Sequence, residues 1–131
     1  MGFNWSEYLT IAKELALRSD EAALRSALSR AYYAAFGTAL ERLAVTGHAI
    51  SQTAEAHSEV CRLYKNADDG PLHYVGIEGV RLRQLRRWAD YDRNVVFNDI
   101  VVGKAVSLAE RTINAIRRLS PPPPPDEGAG K

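Results

Sequence analysis

The 131-residue sequence has one cysteine, Cys61, three histidines and a formal net charge of only +1. A single cysteine excludes an internal disulfide and favours a reducing, cytoplasmic location. Because the net charge is close to zero, attraction to a nucleic acid must come from a local cluster of charges. No histidines or cysteines have the spacing of metal ligands, so we predict neither a metal nor a cofactor.

Long apolar runs are also missing. No run approaches the roughly 18 residues that a membrane span needs, so we expect no membrane association. The first residues, MGFNWSEY, do not resemble a signal peptide. Five of the six prolines stand together in PPPPPDEGAGK, residues 121–131. We therefore predict a domain over residues 1–120 and a proline-rich flexible tail over residues 121–131.

Strand-like alternation is absent, whereas apolar residues recur with helical spacing in five segments. The predicted helices run from Asn4 to about Arg18, from about Asp20 to Ala44, from about Thr53 to Lys65, from about Val75 to Asp90, and from Asn98 to about Leu119. NADDGP, residues 66–71, is predicted to be a loop. The fold class is therefore all-α, and we expect an up-and-down antiparallel bundle of four to five helices.

The second predicted helix contains the unusual segment SRAYYAAF, residues 29–36. Apolar residues cover more than half of its circumference, which predicts a central helix with Leu28, Ala31 and Ala35 buried. Tyr32 falls within the apolar arc, and Tyr33 falls at its border together with Ser29. The two tyrosines are either packing residues at the edge of the core or part of a site.

The fourth predicted helix carries the segment RLRQLRRWADYD. Arg83, Arg86 and Arg87 share a face with Asp90, and Arg87 lies one turn from Tyr91. A guanidinium at the edge of a core needs an anionic or carbonyl partner, because it cannot lose its charge. The excess of arginines favours a phosphate group, and the alternative is an ion pair that only stabilises the fold.

The inward side of that helix is predicted to carry Ile77, Val80, Leu85 and Trp88. His57 lies on the apolar flank of the third helix, one turn from Cys61. A lone histidine in such a position is usually a buried, hydrogen-bonded core residue, and a lone cysteine is usually a small buried hydrophobe.

Three segments, RSALSRAYYAAFGTALERL, AHSEVCRLY and LRQLRRWADYD, resemble the prokaryotic HEPN domain. The resemblance is to its small stand-alone branch, and it covers about residues 6–118. It implies a helical bundle, usually a homodimer, that is associated with nucleotides or RNA. It also implies a frequent nucleotidyltransferase partner in toxin–antitoxin-like pairs. The residues to which it points are Ser29, Arg30, Tyr32, Tyr33, His57, Arg87, Asp90 and Tyr91.

One departure from the family bears on catalysis. HEPN ribonucleases carry an arginine, four to six residues and then a histidine near the start of the last core helix, where this chain reads RRWADYDRNVVFND. Arg42 and His48 have that spacing but lie at the end of the second helix. Without the imidazole, no general base or acid is evident for a ribose hydroxyl.

We therefore expect a non-enzymatic HEPN-like domain. It would bind a nucleotide, RNA or a nucleotidyltransferase partner where Tyr33, His57, Arg87 and Tyr91 converge. The alternatives are a metal-independent endoribonuclease toxin that uses Arg87 and His57, and a dimeric interaction module whose polar cluster only fixes the packing.

Overall fold

The computed structural model describes residues 2–118, and within them all regular structure is helical. The five helices are α1 (Glu7–Leu15), α2 (Glu21–Val45), α3 (Ala56–Lys65), α4 (Gly70–Tyr91) and α5 (Asp99–Arg118). This confirms the all-α class and a bundle of helices. The proline-rich tail predicted at residues 121–131, and the predicted domain boundary at residue 120, lie outside the described residues.

Side-chain caps explain where the two longest helices begin. Asp20 accepts a hydrogen bond from the Ala23 amide at 3.3 Å, as predicted from the sequence. Asp69 accepts one from the Leu72 amide at 3.1 Å, and Pro71 occupies the first turn of α4. A capping aspartate followed by proline is a strong helix start, so α4 begins five residues before the predicted position. The loop prediction is wrong for its last two residues.

The centre of the bundle is α2, the longest helix at 25 residues. Leu28 and Ala31 are 0% exposed and Ala35 is 5% exposed, which confirms the prediction for this face. Alanines allow neighbouring helices to approach closely on several sides at once. The helix therefore contacts each of the other four.

The helix directions differ from a simple up-and-down order. Arg25, near the start of α2, binds the Ala89 carbonyl near the end of α4, so these two helices are antiparallel. In contrast, His57 meets Tyr32 while Tyr64 meets Ala39, so α3 runs parallel to α2. A parallel arrangement requires the chain to return along α2 before α3 begins. The segment 46–55 is long enough to do so, whereas a short helix–helix loop is not.

The inward face of α4 was predicted wrongly. Ile77, Val80 and Trp88 are 36%, 45% and 41% exposed, and Leu85 is half-buried. The buried residues of this helix are Val75, Gly76, Glu78, Leu82, Arg86 and Ala89. Two of these buried positions carry charged side chains. The face of α4 that packs against the other helices is therefore rotated about the helix axis from the face that the apolar pattern predicts.

A glycine explains why α4 is oriented in this way. A Cβ atom on Gly76 would lie 2.3 Å from the backbone nitrogen of Lys65 at the end of α3. Only a residue without a side chain permits that approach. The contact seats α3 against the face of α4 that also carries Leu82 and Arg86.

Candidate functional site

The innermost part of the site is a pair formed by Tyr32 of α2 and His57 of α3. The Tyr32 hydroxyl and the His57 Nδ1 are 2.6 Å apart. Burial raises the pKa of Tyr32, and Cys61 adds to that rise. Burial lowers the pKa of His57, and the positive charges of Arg86 and Arg83 lower it further. Both groups are thus neutral near pH 7, and the tautomer of the imidazole decides whether the phenol donates to Nδ1 or Nδ1–H donates to the phenol oxygen.

Aromatic rings enclose this pair. Phe36 stacks on His57 with ring centroids 4.3 Å apart and planes inclined by 18°. Tyr33 meets Tyr32 edge-on at 5.2 Å and meets the His57 ring at 6.0 Å. The imidazole therefore lies against three rings, and its neutral form is favoured by the low polarity around it.

Arg86 lies beside the rings and is only 8% exposed. Its Cζ atom is 5.3 Å from the Tyr32 ring centroid, 5.5 Å from that of Tyr33 and 5.9 Å from that of Tyr91. Cation–π attraction of this kind stabilises a guanidinium that has lost most of its water. Rings do not, however, accept its hydrogen bonds in the way that oxygen atoms do.

The counterion of Arg86 is held loosely. Arg86 Nη1 lies 3.4 Å from Asp90 Oδ2, and the Ser29 hydroxyl donates to the same oxygen at 3.3 Å. Charge-assisted hydrogen bonds between nitrogen and oxygen are normally about 2.7–2.9 Å long. The Arg86–Asp90 contact is longer than this, so the hydrogen bond within this ion pair is weak.

Two buried donors in this region have no acceptor within residues 2–118. They are the Nε atoms of Arg83 and Arg86, which lie one helical turn apart on α4. An arginine cannot deprotonate to relieve such a deficit. This edge of the molecule therefore has an unmet requirement for acceptor oxygens.

We call this group of side chains the Arg86 cluster. Its members are Ser29, Tyr32, Tyr33, Phe36, His57, Arg83, Arg86, Asp90 and Tyr91. Most were identified from the sequence, and they come together from α2, α3 and α4. Tyr91 is 78% exposed and marks the side that is open to solvent.

Arg87 is not in the cluster, contrary to the predicted convergence. It is exposed and lines an open depression with Gln84, Trp88 and Tyr91. The reason is the rotation of α4 described above. Arg86 shares the buried face with Leu82 and Ala89, so it lies against Tyr32 and Tyr33, whereas Arg87 lies on the exposed side of the helix.

Arg30, the remaining predicted site residue, lies on the other side of Tyr33. Its Cζ atom is 5.5 Å from the Tyr33 ring centroid and 4.8 Å from that of Tyr8 on α1. Tyr33 thus stands between two guanidiniums.

Arg25 is a positioning residue that was not predicted from the sequence. Its Nη1 donates to the carbonyls of Trp88, Ala89 and Asp92 at 3.2, 3.0 and 2.8 Å, and its Nη2 donates to the Val95 carbonyl. These bonds fix the end of α4, from which Asp90 and Tyr91 project. Single-sequence patterns carry no signal for contacts with distant carbonyls.

A small cavity lies inside the bundle next to the cluster. The cavity lined by Tyr32, Phe36, Cys61 and Leu82 has a volume of about 30 Å³. A cavity needs roughly 10–15 Å³ for one water molecule, so this one holds two waters at most. A ligand of the Arg86 cluster must therefore approach from the surface, on the Tyr91 side.

The Arg42–His48 pair lies elsewhere. Both residues line a depression at the far end of α2, with Tyr64 and Leu72.

Among residues 2–118, no three or more His, Cys, Asp or Glu side chains are arranged to hold a metal ion. None of the helices in this range is both long and apolar enough to cross a membrane.

No protein-family model, curated protein or solved structure matches this chain.

Proposed function

We propose that the chain is a HEPN-like domain that binds a phosphate-bearing ligand, a nucleotide or an RNA phosphate, at the Arg86 cluster. The observation that carries the proposal is the pair of buried arginine Nε donors without an acceptor. Phosphate oxygens supply acceptors in the planar arrangement that a guanidinium prefers. The ligand would compete with Asp90, whose contact with Arg86 is long.

Each neighbour has a role in this proposal. Tyr91 is the exposed ring on which a base stacks, as aromatic side chains do in many RNA sites. The Tyr33 hydroxyl is a further donor for the phosphate, and so is the Nε2–H of His57 in the tautomer whose Nδ1 accepts from Tyr32. Neutral His57 donates one hydrogen bond without adding a buried charge.

The test compares adjacent arginines of α4. Fluorescein-labelled AMP and a labelled RNA hexanucleotide are titrated against wild type, Arg86→Gln and Arg87→Gln by fluorescence anisotropy. A hydrogen bond to a charged group is worth about 1.5–3 kcal/mol, so Arg86→Gln should weaken binding by at least about tenfold. Arg87→Gln should stay within about twofold, as an exposed and poorly oriented charge contributes little.

Equal losses in both variants would contradict the proposal, because they would indicate non-specific attraction to basic residues. Circular dichroism confirms that each variant is folded. Unchanged binding by Arg86→Gln would leave the cluster as a packing arrangement.

The same proposal includes membership of the HEPN family and a cytoplasmic location. It also includes a two-fold homodimer and a nucleotidyltransferase partner in a toxin–antitoxin-like pair. The homodimer is supported by apolar side chains that α4 leaves on the surface, including Ile77, Val80 and Trp88. Apolar surface of this kind often marks a protein contact. Light scattering at high micromolar concentration tests the dimer, and co-purification with mass spectrometry tests the partner.

The rival proposal is an endoribonuclease, and it is favoured by the closeness of His57 to a buried arginine. An imidazole that is neutral near pH 7 can accept a proton, although its lowered pKa makes it a weaker base. However, Nδ1 is occupied by its hydrogen bond with Tyr32, so Nε2 would have to accept the proton, which it can do only in the tautomer that carries its own proton on Nδ1. RNA cleavage, or growth inhibition on expression, that His57→Ala abolishes would favour the enzyme over the binding domain.

A further inference from the structure

An open groove between α4 and α5 lies outside the Arg86 cluster and has a volume of about 850 Å³. Leu85 and Leu108 contribute to its apolar lining, and Arg81, Lys104 and Arg111 bring positive charge to it. Lys104 and Arg111 are exposed, and within residues 2–118 neither forms an ion pair with a carboxylate. This surface, which we call the α4–α5 groove, therefore favours an acidic partner.

The wall that α5 contributes to the groove suits a second helix. Ile100 and Val101 are 65% and 40% exposed at its start. Further along are the small residues Gly103 and Ser107, and a Cβ atom on Gly103 would have no neighbour within 4 Å. Small side chains let the backbone of another helix approach closely. At about 1.5 Å per residue, positions 99–111 extend over about 18 Å, which is the length of a helix of roughly three turns.

The outer face of α1 has the opposite charge. Glu7 and Glu14 are exposed, and neither forms an ion pair with any residue in the range 2–118. Ile11 between them is 44% exposed, and Leu17, just beyond the end of the helix, is 88% exposed. An acidic helix face with exposed apolar side chains is suited to dock in a basic groove with an apolar lining.

The charges on the two surfaces have the same spacing. Glu7 and Glu14 are seven residues apart on α1, and Lys104 and Arg111 are seven residues apart on α5. Seven residues make about two helical turns, so each pair lies on one face and spans about 10.5 Å. When α1 of a second copy lies antiparallel to α5, Glu14 meets Lys104 and Glu7 meets Arg111. Val101 is then level with the exposed apolar residue just beyond α1, so both side chains leave water.

The same register accommodates other side chains of α1. Ile11 comes opposite Ser107, whose small side chain leaves room for it. Asp99, an acidic residue of the groove, comes beside Arg18 and therefore does not oppose a carboxylate of α1. Charge, apolar contact and side-chain size thus agree in one register.

We propose that α1 of one copy docks antiparallel to α5 in the α4–α5 groove of a second copy. The contact joins two different surfaces of the chain. It differs from the two-fold homodimer, which is supported by Ile77, Val80 and Trp88 of α4, and it does not rest on phosphate binding at the Arg86 cluster. Because α1 has only nine residues, the interface is small and the association is weak, with a Kd on the order of 100 µM.

The test measures self-association by sedimentation velocity from about 10 µM to 1 mM protein in 50 mM NaCl. Wild type is compared with Glu14→Lys, with Lys104→Glu and with an equimolar mixture of these two variants. Leu17→Ser removes the exposed apolar contact, and Val45→Ser is its matched control. Val45 is 59% exposed at the opposite end of α2, so both substitutions change an exposed apolar residue to serine without disturbing the core.

The sedimentation coefficient of wild type should rise with concentration, and 0.5 M NaCl should suppress most of the rise by screening the ion pairs. Glu14→Lys and Lys104→Glu should each weaken association at least about tenfold, because a repulsion replaces an attraction. Their mixture should recover to within about threefold of wild type, since the reversed charges then oppose each other. Leu17→Ser should cost about tenfold, and Val45→Ser should behave as wild type.

A sedimentation coefficient of wild type that stays constant up to 1 mM would overturn the contact, whether its value is that of a monomer or of a dimer. Association that Lys104→Glu leaves unchanged would also overturn it. Loss in both charge variants without recovery in their mixture would overturn the antiparallel register. AMP binding by Lys104→Glu should equal that of wild type, so each of these failures would leave the proposed function standing.

Discussion

The centre of α2 and the Arg86 cluster are both buried, but burial has a different effect on the free energy of folding in each. Around Leu28, Ala31 and Ile113 the contacts are apolar, and burial alone stabilises them. At the Arg86 cluster a guanidinium is buried with a long ion pair and an Nε donor that lacks an acceptor. Burial of a charge stabilises a fold only when geometry and hydrogen bonds are good. The first region therefore stabilises the fold, whereas the second contributes little to stability unless the proposed phosphate ligand supplies the acceptors.

The largest expected effect is in the centre of α2. Leu28→Ala should lower the free energy of unfolding by about 2–5 kcal/mol, because it leaves a cavity among fixed neighbours. Arg86→Met should lower it by only about 1 kcal/mol, since Asp90 regains water once its weak partner is gone. Urea denaturation of both variants measures the difference. If Arg86→Met lowered the free energy of unfolding as much as Leu28→Ala, the two regions would not differ in this way, because the cluster would then be essential to the fold.

A smaller effect is expected where α3 meets α4. Gly76→Ala places a methyl group against the Lys65 backbone, and overpacking of this kind costs about 1–3 kcal/mol. Gly79→Ala is the matched control, as its nearest neighbour, Cys61 Sγ, is at an ordinary 3.6 Å. Alanine favours a helix by about 1 kcal/mol over glycine, so the control should be neutral or stabilised.

Thermal melts of the two glycine variants measure this difference in stability. Destabilisation by Gly76→Ala together with weaker nucleotide binding would show that the contact between α4 and α3 at Gly76 positions Arg86. Equal melting temperatures for the two variants would contradict the close approach of the helices.

The smallest expected effect is a pH dependence at His57. Its pKa in the folded protein lies below the ordinary 6.5, so the unfolded chain takes up the proton first. The stability that neutral His57 contributes is therefore fully present above about pH 6.5 and is lost as the pH falls through the folded-state pKa. Urea denaturation from pH 7.5 to 5 should show a larger loss for wild type than for His57→Phe. Parallel curves would mean that His57 is not buried in its neutral form.

The features that depend on residues close together in the sequence, namely helix capping and the buried face of α2, could be predicted. Asp20 as a cap and the burial of Ala31 and Ala35 follow from capping and periodicity, and both were confirmed. The start of α4 was missed because Gly70 and Pro71 were interpreted only as loop residues. Pro71 is tolerated in the first turn, where no intrahelical partner for its missing amide is required.

The cluster itself was only partly predictable. Periodicity places Val80 and Trp88 inside, because it assumes that charged residues such as Glu78 and Arg86 point outward. The true face depends on the close approach of Gly76 to α3, a tertiary contact that the sequence of one helix does not encode. The pairing of His57 with Tyr32 likewise depends on α3 running parallel to α2.

The most direct test of the central claim observes the guanidinium itself. The side-chain Nε–Hε resonances of Arg83, Arg86 and Arg87 are followed by nuclear magnetic resonance during titration with AMP, and the spectra of Arg83→Gln, Arg86→Gln and Arg87→Gln provide the assignments. We predict a saturable shift of the Arg86 resonance, accompanied by Arg83, while that of Arg87 moves little. An Arg86 resonance that stays unchanged at millimolar AMP would contradict phosphate binding at the cluster.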